Sequence, residues 1–178
     1  MQAGPDIREP WSAPDWAVAR ALLLEYAAAL GADLGFQGFA EELKRLPQQY
    51  GPPRGAFLMA RLDGRPVGCV GLRPFDAARR EVKRLYVAAP ARGVGIGRAL
   101  TVAIVVRARS LGYRQLVLDT LDTMGSAQAL YRSLGFRPVT AYRFNPLPGA
   151  AYFGLDLSSS SSDAGLGYPP ADAARRNE

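Results

Sequence analysis

Seven residues constrain this chain more than any others: Arg92-Gly93-Val94-Gly95-Ile96-Gly97-Arg98. Ahead of them, Glu81-Val82-Lys83-Arg84-Leu85-Tyr86-Val87 has the composition of a strand, closed by Ala88-Ala89-Pro90. Behind them, apolar residues recur at Ile96, Leu100, Ile104, Ala108 and Leu111, close to a 3.6-residue period, and Gly112 supplies a helix stop. A strand therefore enters a glycine-rich loop and a helix leaves it. Glycines at 93, 95 and 97 allow a tight turn in which several N–H groups converge on one anion. The helix adds an effective charge of about +0.5 at its N-terminus, and Arg92 and Arg98 flank the loop as phosphate partners.

Other nucleotide loops share this outline but not its details. A phosphate loop of the NTPase kind needs lysine and then serine or threonine after its last glycine, whereas Arg98-Ala99 stand here. A dinucleotide fingerprint needs glycine where Arg98 stands, although Asp119 mimics its acidic ribose partner. Upstream, Ala56–Leu62 and Pro66–Leu72 read as strands joined by the hairpin turn Asp63-Gly64, which is antiparallel structure foreign to a parallel βαβαβ domain.

The remaining elements follow from local signals. Ser12 is an N-cap with Asp15 three residues on, and the helix carries Val18, Leu22, Leu23, Tyr26 and Leu30 to a stop at Gly31. A second, short helix carries Phe39, Leu43 and Leu46 up to Pro47. Gln115–Thr120 reads as a buried strand, Ala127–Leu134 as a helix stopped by Gly135, and segments near Val139–Phe144 and Ala151–Leu157 as the last strands. The order ααββ, β, α, β, α, ββ predicts one mixed α/β (α+β) domain over residues 1–157. From Ser158 a five-serine run and a polar tail to residue 178 predict disorder.

Composition limits the chemistry. The chain has 178 residues, a net charge of +6 and no histidine, so the commonest general base and zinc ligand are both missing, and no metal is expected. Acid–base work falls to carboxylate, tyrosine or lysine. The basic residues form no long run, so a phosphorylated cofactor accounts for the charge and nucleic acid is not the expected partner. One cysteine, Cys69, permits no intrachain disulfide, and the first twenty residues do not form an export signal, which together predict a cytoplasmic protein. The apolar run from Ala99 to Val106 is far shorter than the roughly 20 residues that span a bilayer, so no membrane association is expected.

With these residues in place, the chain resembles the GCN5-related N-acetyltransferase (GNAT) superfamily. Its core signature, arginine or glutamine, two residues, glycine, one residue, then glycine or alanine, is met by Arg92, Gly95 and Gly97. The resemblance extends from about Ile7 to Leu157 and includes Ala129-Leu130-Tyr131-Arg132-Ser133-Leu134-Gly135-Phe136 as a second motif. It implies a central sheet with antiparallel N-terminal strands, flanking helices, and a signature strand that splays from its neighbour. It further implies that the backbone of Leu85, Tyr86 and Val87 pairs with the pantetheine arm of acetyl-CoA, and that Arg92, Gly93, Val94, Gly95, Ile96, Gly97 and Arg98 hold its pyrophosphate.

The implied reaction is direct attack of an amine on the thioester. Tyr131 matches the family's acid position, toward the departing sulfur. A thiol near pKa 8.5 and a tyrosine near 10 make full proton transfer uphill by about 2 kcal/mol, so a hydrogen bond is the expected contribution. Glu81, eleven residues before Arg92, matches a glutamate that several members use as base. Strand alternation puts Glu81, Lys83, Leu85 and Val87 on one face, where Lys83 either holds Glu81 ionised for that task or simply pairs with it. The acceptor side is expected from the first two helices and the late loop, with Tyr26, Phe36 and Asn145 as substrate-binding candidates and Gln37, Phe39 and Tyr142 near them. Asp119 and Asp122 are further polar candidates. The acceptor is then a primary amine of a small molecule, peptide or protein; the alternative is a non-catalytic acyl-CoA-binding sensor domain. A homodimer is compatible with the resemblance.

Overall fold

The computed structural model describes residues 4–158, so all but the first residue of the predicted C-terminal tail lies outside the described residues. Helix α1 (Ala13–Leu30) begins as its sequence predicts. The Ser12 hydroxyl accepts from the Asp15 N–H at 3.3 Å and the Asp15 carboxylate accepts from the Ser12 N–H at 3.2 Å, a reciprocal capping box. Gly31 ends the helix in the left-handed region at φ 65°. The expected second helix is two: α2 (Phe39–Lys44) and α3 (Leu46–Tyr50), broken at Arg45. Pro47 is the cause, because it has no N–H for the preceding turn yet suits the first turn of a new helix.

Seven strands form one sheet: β1 (Asp6–Arg8), β2 (Ala56–Leu62), β3 (Arg65–Pro74), β4 (Arg79–Val87), β5 (Gln115–Leu121), β6 (Arg137–Pro138) and β7 (Ala150–Asp156), in the spatial order β1-β2-β3-β4-β5-β7-β6. The β2–β3 hairpin turns on Asp63 and Gly64, both at positive φ, as a two-residue primed turn requires. Helices α4 (Ile96–Ser110) and α5 (Gly125–Ser133) follow β4 and β5. On one face of the sheet, Leu100, Ile104 and Ala108 of α4 are fully buried against Ala60, Val70, Leu72 and Val82. On the other, Ala19, Leu22 and Leu23 of α1 pack with Tyr50, Phe57, Met59 and Cys69. Each such leucine or isoleucine contributes about 1.5–3 kcal/mol by leaving water.

Two features of β4 position the site. Strands β4 and β5 pair in parallel over only Arg79–Glu81 and Gln115–Val117, so β4 runs on to Val87 with its edge toward β5 unpaired. This is the predicted splay. Toward β3 the register steps from Cys69 opposite Tyr86 to Gly71 opposite Lys83, one extra residue on β4, with Arg84 at φ 61°. That bulge corrects the simple alternation: Leu85 and Val87 pack with Val82 beneath α4, while Arg84 and Tyr86 reach the helices on the opposite face.

Of the two late strands expected, Ala151–Leu157 forms as β7 but Val139–Phe144 does not. On the edge of β7 away from β5, Arg137 and Pro138 pair, and the Val139 N–H still bonds the Tyr152 carbonyl. The chain then leaves the sheet as a loop that carries Tyr142, Arg143 and Asn145 toward β4 and β5.

Candidate active site

The glycine loop has the backbone its spacing calls for at two of three positions. Gly93 and Gly95 lie at φ 80° and 86°, values that side-chain-bearing residues rarely adopt. Gly95 caps α4 without a side-chain hydrogen bond, so the first N–H groups of this 15-residue helix are available to an anion. Gly97 is helical; a Cβ there would meet Leu130 and Val87 at 3.7 Å, ordinary contact. The first turn of α4 thus lies between the end of β4 and α5. The Arg92 guanidinium donates to the Val87 carbonyl at 2.9 Å and that of Arg98 to the Ser133 hydroxyl at 3.0 Å, so both arginines also tie the loop down. Val94 is 67% exposed at the loop's tip, and the Ile96 side chain is buried in the core, leaving its backbone for a ligand.

Where β4 and β5 diverge, a cleft of about 50 Å³ opens, walled by Tyr26, Gln37, Lys83, Asp119, Tyr131 and Asn145 among others. Tyr131 is 6% exposed and packs against Phe136 and Phe153 with ring centroids 5.6 and 6.4 Å away. Burial, with the Tyr26 hydroxyl and Asp119 charge adding to it, pushes its phenol well above the usual tyrosine range, so it keeps its proton. Tyr26 lies edge-on to Tyr86 and beneath the Arg84 guanidinium. The Asn145 amide donates to Asp119 at 2.9 Å and accepts from the Leu147 N–H at 3.0 Å, tying the loop to the carboxylate.

Beneath the cleft lies a buried ionic cluster. Arg84 makes a two-pronged pair with Glu42 at 2.9 and 2.7 Å, both side chains 1% exposed, and the Tyr50 hydroxyl donates to the same carboxylate at 2.6 Å. Glu81, fully buried, is met by Arg73 at 3.2 Å, Arg143 at 3.0 Å, Lys83 at 3.6 Å and the Tyr142 hydroxyl at 3.1 Å. Lys83 also faces Asp119 at 3.8 Å. Burial pushes the Lys83 ammonium down to about 8, with Glu81 and Asp119 partly restoring it.

The structure therefore brings Tyr131, Leu85, Tyr26 and Asn145 together on one cleft, with the start of α4 held between the end of β4 and α5. Phe36 is not brought there: it is 40% exposed in a short 3₁₀ turn, and its neighbour Gln37 lines the cleft instead. Glu81 lies behind the wall, enclosed by cations, in the geometry of an ion-pair anchor. Its partners Arg73 and Arg143, and Glu42, which shares Arg73 with it, carry no local sign of this role in the sequence. The available signal was a set of charged residues inside otherwise apolar strand and helix patterns, which in a folded chain must find one another.

A sequence profile of the Acetyltransferase (GNAT) family matches residues 20–136. An uncharacterized N-acetyltransferase of Schizosaccharomyces pombe is 42% identical over 139 residues, covering 77% of this chain and 85% of that one. Among solved structures, an acetyltransferase of the GNAT family from Staphylococcus aureus superposes with a TM-score of 0.71 at 21% identity, over 86% of this chain and 99% of that one. A GNAT acetyltransferase from Elizabethkingia anophelis with acetyl-CoA bound superposes with a TM-score of 0.55 at 22% identity, over 72% of this chain and 87% of that one. A splayed β4, a glycine loop opening a helix, and these matches define an acyl-transfer fold. The chain belongs to the acetyltransferase (GNAT) family and is an acetyltransferase.

Proposed function

We propose that this enzyme moves the acetyl group of acetyl-CoA directly onto a primary amine held in the cleft between β4 and β5. The observation that carries this is the position of Tyr131. Its buried, protonated phenol opens onto the cleft at the unpaired edge of β4, and α5, which bears it, is tied through Ser133 to the first turn of α4. The residues fit an acyl-CoA. Uncapped N–H groups at the start of α4, with Arg92 and Arg98 beside them, suit a pyrophosphate, and the free backbone of Leu85, Tyr86 and Val87 suits the amide-bearing pantetheine arm. Bound there, acetyl-CoA supplies an acyl group already activated as a thioester.

The chain's own residues do the rest. Tyr131 holds a proton at Oη for the departing sulfur. Asp119, kept in place by Asn145, orients the amine from the cleft wall. Glu81 fixes Lys83, Arg73 and Arg143 and acts as a positioning residue. A peptide α-amine near pKa 8 costs only about 1.4 kcal/mol to deprotonate at pH 7, within reach of water, whereas a more basic amine near 10.4 costs about 4.6 kcal/mol.

Thiol release from acetyl-CoA, measured across a panel of primary amines, tests this reading. Tyr131→Phe should lower kcat by about 10²–10³ with little change in KM. Equal turnover by wild type and variant would remove the tyrosine's role, and no turnover with any amine would favour an acyl-CoA sensor.

A further inference from the structure

Two buried polar atoms on the wall of this one cleft have no hydrogen-bond partner: Lys83 Nζ and Gln37 Oε1. They are of opposite character. The Lys83 ammonium offers three donors and no acceptor, and its side chain is 3% exposed. Its two carboxylates stand at 3.6 and 3.8 Å, near enough for charge but too far for a hydrogen bond. Gln37 Oε1 is an acceptor only. A buried polar group left in this condition has lost its water without regaining a partner, which favours a ligand that supplies one.

The surrounding charges lean the same way. Around the cleft and beneath it, four cationic side chains, Arg73, Lys83, Arg84 and Arg143, face three carboxylates, Glu42, Glu81 and Asp119. Each arginine is hydrogen-bonded or ion-paired to Glu42 or Glu81 at 3.2 Å or less, so the cluster holds one more cation than carboxylate and Lys83 keeps only longer charge contacts to Glu81 and Asp119. At about 50 Å³, against the roughly 10–15 Å³ that one water needs, the cleft takes more than a single water. It has room for a small head group bearing an anion and a donor side by side.

We propose that the acceptor is a free amino acid, its carboxylate received by Lys83 and its amine by Gln37 Oε1 and the Asp119 carboxylate. This rests on the acetyltransferase reading above and narrows its acceptor. A zwitterion complements the site on both counts: its carboxylate supplies the acceptor that the ammonium lacks, and its N–H groups supply the donor that the glutamine oxygen lacks. In the transfer, one C–S bond breaks and one N–C bond forms. The amino acid's ammonium gives up two protons, one to the coenzyme A thiolate and one to solvent, and the products are an N-acetylamino acid and free thiol.

Thiol release at saturating acetyl-CoA, measured with the twenty common amino acids and with the carboxamide of each one turned over, decides the matter. The acid should exceed its carboxamide in kcat/KM by about 10- to 100-fold. Lys83→Met should abolish that preference through acceptor KM, and Lys83→Arg should restore part of it. Calorimetric titration of the preferred amino acid into protein saturated with coenzyme A should show binding that Lys83→Met loses. If Lys83→Met does not fold, judged by loss of coenzyme A binding, the acid and carboxamide comparison in the wild type stands alone. Carboxamides or simple amines turned over as well as the acids, or turnover of no amino acid, would overturn the proposal while leaving the transferase intact. Failure to bind acetyl-CoA at all would overturn both.

Discussion

Glu42 and Arg84 are the residues whose loss the fold should feel most among its charges. Their pair is 1% exposed on both sides, and truncating one partner strands the other in the interior, at a cost of about 3–5 kcal/mol. Glu42→Ala should lower the urea midpoint accordingly. Burial pushes the Glu42 carboxyl up, but the hydrogen bonds and charge of Arg84, with the Tyr50 hydroxyl, outweigh it and hold the carboxyl below its ordinary value. A depressed carboxyl stabilises the fold above its unfolded pKa, near 4.3, and that contribution is lost as pH falls through the lower folded value. Stability of wild type relative to Glu42→Gln should therefore shrink on acidification below about pH 4.3. Lys83 has the same sign of pH dependence for the opposite reason, since burial disfavours its charged form. With its ammonium pushed down to about 8, the unfolded chain binds more protons between that value and its ordinary 10.5, so stability gains from rising pH. Urea midpoints from pH 7.5 to 9.5 should climb more steeply in wild type than in Lys83→Met; parallel slopes would show that Lys83 is not held in that state.

At the scale of elements, the glycine loop separates two roles that the sequence presents as one. Gly95 sits at φ 86° and Gly97 in ordinary helix. Gly95→Ala should cost about 1–2 kcal/mol and raise the KM for acetyl-CoA about tenfold, whereas Gly97→Ala should be neutral or add about 0.5–1 kcal/mol through helix propensity. Thermal melts and initial rates on the two variants distinguish these outcomes. Much of this architecture is legible in the chain. Ser12, Asp63-Gly64, Gly31 and Gly112 are local signals, and the structure honours each of them. What escaped is what depends on distant partners. Strand β1 is three residues with one apolar side chain, Ile7, and exists because the edge of β2 accepts it. Arg84 gives no glycine or proline sign of a bulge; its left-handed backbone is held by the Glu42 pair, 42 residues away. Val139–Phe144 alternates like a strand, yet its Tyr142 and Arg143 are drawn off the sheet to Glu81. Lys83 and Gln37 come together on the cleft wall only once α1 and the following turn fold over β4.

For the whole molecule, binding and folding are linked. A ligand that holds only the native state at 100 times its Kd adds about 2.7 kcal/mol, which for a domain of this size raises Tm by roughly 5–10 °C. Acetyl-CoA should do this in wild type and much less in Gly95→Ala. The domain unites two half-sites: the loop and open edge of β4 on the α4 side, and the ionic cluster on the α1 side that shapes the acceptor's cleft. Calorimetric titration of acetyl-CoA into the full chain tests that union most directly. One site per chain with micromolar affinity, weakened about tenfold by Gly95→Ala and little changed by Tyr131→Phe, is the expected result. No saturable binding up to millimolar acetyl-CoA would contradict it.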